Sequence, residues 1–202
     1  MKNKKYSFLT LAAFALLTTF VALTATIPAL AHSDVDLEYI DLMIMHHRDG
    51  IEMARLAETK AETAEVKEFA GRVIADQEKD IAELQARREQ LYPGEEEADG
   101  INLKNKRMSA GEMKKMAEAD MKKLEAASGK AFDHLFLDTL TRHHQMGIEM
   151  SNTQITKGDS AELKKFSRET IAKQNKEIGE MAAMMKKVGG KTKTAKSGKK
   201  RS

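Results

Sequence analysis

The sequence predicts an all-α protein: an antiparallel four-helix bundle built from a duplicated helical hairpin, with one extra connecting helix. Three observations lead there. A block of roughly fifty residues occurs twice at a constant offset of 97. Apolar residues recur at three- and four-residue spacing, and no period-2 strand pattern is visible. Two Pro and 5% aromatic residues in a chain of 202 leave little material for the turns and strands of an all-β sandwich.

The elements follow in order. Lys2, Lys4 and Lys5 precede an apolar run from Phe8 to Leu23, and Ala29-Leu30-Ala31 is a small-residue cleavage box. Residues 1–31 therefore have the form of a secretory signal peptide. Cleavage after Ala31 would leave a mature chain beginning at His32, in the periplasm or outside a bacterial cell, with no membrane span of its own.

The bundle domain is expected over residues 32–188. His46-His47-Arg48-Asp49-Gly50-Ile51-Glu52-Met53 aligns with His143-His144-Gln145-Met146-Gly147-Ile148-Glu149-Met150, with six of eight positions identical. Ala64–Glu83 aligns with Ala161–Glu180 without a gap and with ten identities in twenty. Copy one, about 35–91, divides into helices near 35–60 and 63–91, closed by Pro93-Gly94. Residues 93–107 form an acidic loop. Ser109 and Glu112 then make a capping box that opens the connecting helix, about 109–127. Copy two, about 130–187, divides into helices near 130–157 and 160–187, closed by Gly189-Gly190.

Residues 189–202 hold six basic residues and no acid, which predicts a disordered basic tail. Without the three signal-peptide lysines the chain balances 31 basic against 31 acidic residues, so the folded body is near −6. A net-negative body lacks the footprint of a nucleic-acid-binding protein.

At about 100° per residue, Met43, His46, His47, Gly50 and Met53 fall on one arc of the first helix, with Asp36 and Ile40. Asp133, Phe136, Leu140, His143, His144, Gly147 and Met150 fall on the equivalent arc of copy two. Each copy thus turns two imidazoles and a thioether inward, with Met146 beside the second pair. Gln77, Ile81 and Leu84 face them in copy one, and Gln174, Ile178, Met181 and Met185 in copy two. Four inward imidazoles need partners, protons or a metal. Neutral imidazole with thioether and few inward carboxylates suits copper, with Cu(I) favoured by Met; zinc fits less well. Asp36 and Asp133 are expected to cap helix starts.

Other chemistries are excluded or unsupported. Zero Cys removes disulfides, thiolate zinc sites, iron–sulfur clusters and thiol nucleophiles. A di-iron bundle needs Glu-x-x-His, but Met43, Ile44, Leu140 and Thr141 stand three residues before the four His. No Ser neighbours either His pair, so no acyl-transfer nucleophile is evident.

Met43-Ile-Met-His46-His47 followed by Met53, and Phe132-Asp133-x-x-Phe136-Leu137 leading to His143-His144-x-x-Gly147-Ile148-x-Met150, resemble the domain of unknown function family 305. The resemblance covers about residues 35–187. It implies a ferritin-like helical bundle, export from a bacterial cell and, for some members, copper binding and tolerance without an established enzymatic activity. By position it implicates Met43, His46, His47, Met53, His143, His144 and Met150. The family pattern commonly carries Met where this chain has Leu140, and Met146 is an additional thioether, so the two half-sites are not identical. The expectation is an exported protein binding copper, as Cu(I) or Cu(II), for sequestration, tolerance or transfer to other copper-handling proteins. Two alternatives stay open: a helical interaction module whose His pairs are structural or pH-sensing, and a copper-dependent redox enzyme.

Overall fold

The protein is described by a computed structural model over residues 34–189. The expected signal peptide and the expected basic tail beyond Gly189 lie outside the described residues. Five helices carry the chain: α1 Asp34–Lys60, α2 Ala64–Leu91, α3 Ala110–Ala126, α4 Gly129–Lys157 and α5 Ala161–Gly189. Their limits agree with the expected ones to within one or two residues, which is the ordinary ambiguity of helix ends. Ser109 accepts from the Glu112 N–H while Glu112 accepts from the Ser109 N–H, so the capping box that opens α3 is present.

One expectation needs correcting. The loop between the copies is not wholly irregular: β1 Gly100–Asn102 pairs antiparallel with β2 Arg107–Ser109, with Ile101 opposite Met108. Both side chains are buried, which anchors the ribbon against the bundle. Gly100 has to be glycine, because a Cβ there would stand 2.6 Å from the Met108 carbonyl oxygen.

α1 and α2 form one hairpin and α4 and α5 the other. The two are joined antiparallel. Tyr39 meets Ser151 across α1 and α4, and the four ion pairs Glu65–Lys187, Arg72–Glu180, Asp80–Lys173 and Arg87–Glu162 run in reverse order along α2 and α5. α3 lies over α1 and α4. Lys60 donates to the carbonyls of Leu124 and Glu125, and Arg142 pairs with Asp120.

The repeat symmetry organises the connections. Buried Asp133 accepts from the N–H groups of Glu62 and Thr63 at 2.8 and 3.0 Å, while buried Asp36 accepts from those of Asp159 and Ser160 at 3.1 and 3.0 Å. Each Asp therefore caps the hairpin turn of the opposite copy, not the start of its own helix. These bonds to charged carboxylates lock the copies together.

The apolar interior has two parts. Met53, Phe69, Val73, Phe132, Phe136 and Met181 belong to a cluster at one end of the bundle. Tyr39, Ile40, Met43, Leu84, Met150 and Phe166 belong to a cluster at the other. Burying each large side chain contributes about 1.5–3 kcal/mol. Between them, halfway along all four long helices, lies a belt of buried polar residues: His46, His47, Gln77, Asp80, His143, His144, Gln174 and Glu177.

Candidate metal centre

All four histidines occupy this belt, as the inward arcs predict. Their burial is nearly complete, with His143 the most accessible at 9%. The rings of His46 and His143 stack with centroids 3.6 Å apart and planes 17° from parallel. Each bonds the other's backbone: His46 Nε2 lies 3.0 Å from the His143 carbonyl oxygen, and His143 Nε2 lies 3.0 Å from that of His46. A carbonyl only accepts, so both Nε2 atoms carry the proton and both Nδ1 atoms present lone pairs.

His144 and His47 turn toward the flanking hairpin helices. His144 Nε2 donates to Glu177 Oε2 at 2.7 Å. His47 Nε2 stands 3.6 Å from Asp80 Oδ2, beyond hydrogen-bond distance, because Lys173 holds that carboxylate at 2.8 and 2.9 Å. Asp80 and Glu177 are equivalent positions of the repeat, so the sequence expectation of few inward carboxylates is corrected. Each His pair has one acid behind it.

Four buried nitrogens then have no hydrogen-bond partner among the described residues: Nδ1 of His46, His47, His143 and His144. His47 Nε2, Gln77 Oε1 and both amide atoms of Gln174 share that condition. Native interiors leave few such groups, and a cluster of them calls for a specific explanation. Nε2 anchored to a carbonyl or carboxylate with Nδ1 free is the arrangement in which an outer partner fixes the ring of a metal-ligating histidine. Among the described residues, no three His, Asp or Glu side chains form a ready-made cluster for a metal ion.

The electrostatics favour neutral rings. Burial pushes the imidazoles of His46 and His143 well below their usual value, and their mutual repulsion with neighbouring His adds to it. Burial also lowers His47, with Asp80 opposing. Burial alone would raise the Asp80 carboxyl, but His47 and Lys173 outweigh it and hold it below the ordinary carboxylate range. A neutral imidazole needs to lose no proton before binding a cation.

Two glycines make this packing fit. A Cβ at Gly50 would stand 2.4 Å from Gln77 Oε1 and 3.0 Å from His143 Cε1; one at Gly147 would stand 2.7 Å from Gln174 Oε1 and 3.0 Å from His46 Cε1. Both are buried on the inward arc, where only hydrogen leaves room for the opposite ring.

The methionines divide. Met43 and Met150 are fully buried in one apolar cluster, and Met53 lies in the other. The thioethers of copy one are thus not gathered around their own His pair. Met53 and half-buried Met146 instead line a small pocket with His143.

Residues 36–185 match the family model described as Domain of unknown function (DUF305). The chain belongs to this family. Among solved structures it is similar to CopM in the Cu(II)-bound form, at 30% identity and a TM-score of 0.62, over 75% of this chain and 96% of that one. CopM in the Cu(I)-bound form matches at 28% identity and 0.60, over 75% and 96%, and CopM soaked to the Ag-bound form at 28% and 0.58, over 75% and 95%. A DUF305 protein from Streptomyces coelicolor matches at 21% identity and a TM-score of 0.65, over 78% of this chain and 95% of that one, which bears on the fold alone. No curated protein matches the chain.

Proposed function

We propose that this DUF305 protein binds copper in the polar belt of its bundle, through His46, His47, His143 and His144, and serves to sequester the metal or pass it on. The observation that carries this reading is the set of four buried, partnerless Nδ1 atoms on rings whose other nitrogen faces a carbonyl or a carboxylate. Neutral imidazoles in a dry interior suit a soft ion of low charge better than a hydrated divalent one. The Cu(I)-, Cu(II)- and Ag-bound forms of CopM support the same class of ligand. Of the expected thioethers, Met43 and Met150 lie in the apolar cluster on one side of the belt, and Met53 and Met146 line a pocket beside His143, so the imidazoles carry this reading. Glu177 fixes the orientation of the His144 ring through its hydrogen bond, and Asp80 stands behind His47 without bonding it.

Export is part of this proposal and is supported by the signal-like amino terminus; among the described residues no helix is long and apolar enough to cross a membrane. A periplasmic or secreted copper binder would exchange metal with other copper-handling proteins, and its transfer function needs no nucleophile or general base.

The reciprocal His46–His143 bonds also favour a structural role, in which the belt fixes the register of α1 against α4. Titration with Cu(I), Cu(II) and Zn(II) separates the two readings. Copper binding that disappears when the four His are replaced supports the metal reading. Unchanged affinity in that variant leaves the belt as structure alone.

A further inference from the structure

A second group of soft donors lies outside the belt. Where α3 crosses α1 and α4, a pocket of about 60 Å³ is lined by Met53 of α1, Met113 and Met116 of α3, and Met146 and His143 of α4. Four thioethers from three helices thus converge beside the most accessible of the four histidines.

Packing accounts for Met53 and Met113, which are buried in the two apolar clusters, but not for Met116. Met116 is 45% exposed, the one large hydrophobic side chain so exposed among the described residues. A methionine placed to fill a core would be covered. The pocket is also small. That is room enough for water or a small ion. Two carboxylates share the lining. Asp120 is neutralised by Lys123 and Arg142 at 2.9 and 3.4 Å. Burial, with Glu52 and Glu118 nearby, pushes the Asp49 carboxyl up to about 7, so the thioethers rather than a fixed carboxylate charge are the donors the pocket offers. Thioethers are uncharged, carry no proton to displace and select soft cations over hard ones.

We propose that this pocket is a separate binding site for a soft monovalent cation, held by the thioethers of Met53, Met113, Met116 and Met146, and that it loads the belt through His143. The inference builds on the copper-binding reading of the belt. His143 stands at the junction: its Nε2 is tied to the His46 carbonyl, its ring stacks on His46, and its edge lines the pocket. Exposed Met116 and buried His143 line the same pocket, which is what would let an ion reach the belt from the surface. α3 lies between the two copies in sequence, so the site has no counterpart within either repeat.

The test uses Ag(I), which is soft and redox-inert, with the purified protein carrying ¹³C-methyl methionine. Ag(I) is expected to shift the methyl signals of Met53, Met113, Met116 and Met146 in one saturable event, at lower added metal than it shifts the imidazole signals of His46, His47 and His144. Zn(II) is expected to leave the methyls in place. The Met113→Leu/Met116→Leu variant keeps volume while removing sulfur. It should bind one Ag(I) fewer per chain with unchanged helicity, and should load the imidazoles more slowly. Unmoved methyls together with unchanged stoichiometry in the variant overturn the pocket, even if the imidazoles bind. Shifted methyls with unmoved imidazoles sustain the pocket as a site, overturn the loading of the belt, and count against the copper-binding reading of the belt.

Discussion

Replacing Gly147 by Ala should destabilise the bundle, although the same change in a solvent-facing helix stabilises it. Two effects compete. Helix propensity favours Ala over Gly by about 1 kcal/mol. Against it, the new methyl would stand 2.7 and 2.8 Å from the Gln174 amide and 3.0 Å from His46 Cε1. Gln174 has a flexible end and can turn aside. His46 cannot, because its ring is pinned to the His143 carbonyl and stacked on the His143 ring. Overpacking of this kind costs about 1–3 kcal/mol, so the net expectation after the propensity gain is a loss of about 0–2 kcal/mol, centred on about 1. Gly179 in α5 is the internal control. A Cβ there meets nothing within 4 Å, and the equivalent repeat position is already Ala82. Gly179→Ala should stabilise by about 0.4–1 kcal/mol. Urea unfolding of both variants with unchanged m-values reads the difference directly. If Gly147→Ala and Gly179→Ala stabilised equally, the close approach of His46 to α4 would be refuted.

Other consequences can be checked alongside. His46→Ala and His143→Ala should be non-additive by about 1 kcal/mol in a double-mutant cycle, since each removes the same stack and one of a reciprocal pair of hydrogen bonds. Stability should be full above about pH 6.5, where unfolded imidazole is neutral, and should fall on acidification. Each of His46, His47 and His143 stays neutral in the fold while its unfolded counterpart takes up a proton, so the loss steepens toward about 1.4 kcal/mol per pH unit per ring. Denaturant melts at pH 7.5, 6 and 5 measure it. Asp133→Ala should cost about 1–2 kcal/mol in thermal or urea unfolding, by freeing the N–H groups of Glu62 and Thr63 at the start of α2.

Much of the fold was legible in the chain. The offset repeat gave the hairpins, and helical spacing placed the four His, both Gly and the Asp pair on buried arcs, as the structure has them. What escaped depends on tertiary register. Asp80 and Glu177 look like ordinary charges on a solvated helix face. Their burial follows only once α2 and α5 pack against the His-bearing helices, although their equivalence in the repeat, three residues beyond Gln77 and Gln174, was a usable sign. The exchange of caps by Asp36 and Asp133 depends on how the two copies meet, which spacing within one copy does not encode. The ribbon at Gly100–Asn102 and Arg107–Ser109 is too short to show alternation. Met43 and Met53 share an arc with the His pair but lie one on each side of it along the helix, so they enter different apolar clusters.

Copper ligation by the partnerless Nδ1 atoms of the belt is what the proposed function stands on. Its most direct test is X-ray absorption spectroscopy on the protein loaded anaerobically with one equivalent of Cu(I), compared with the variant in which His46, His47, His143 and His144 are all Asn. Imidazole scattering is expected in the wild type and should disappear in the variant, with the variant's helicity retained. A copper spectrum identical in the two proteins, with equal affinity, would contradict it and return the belt to a purely structural role.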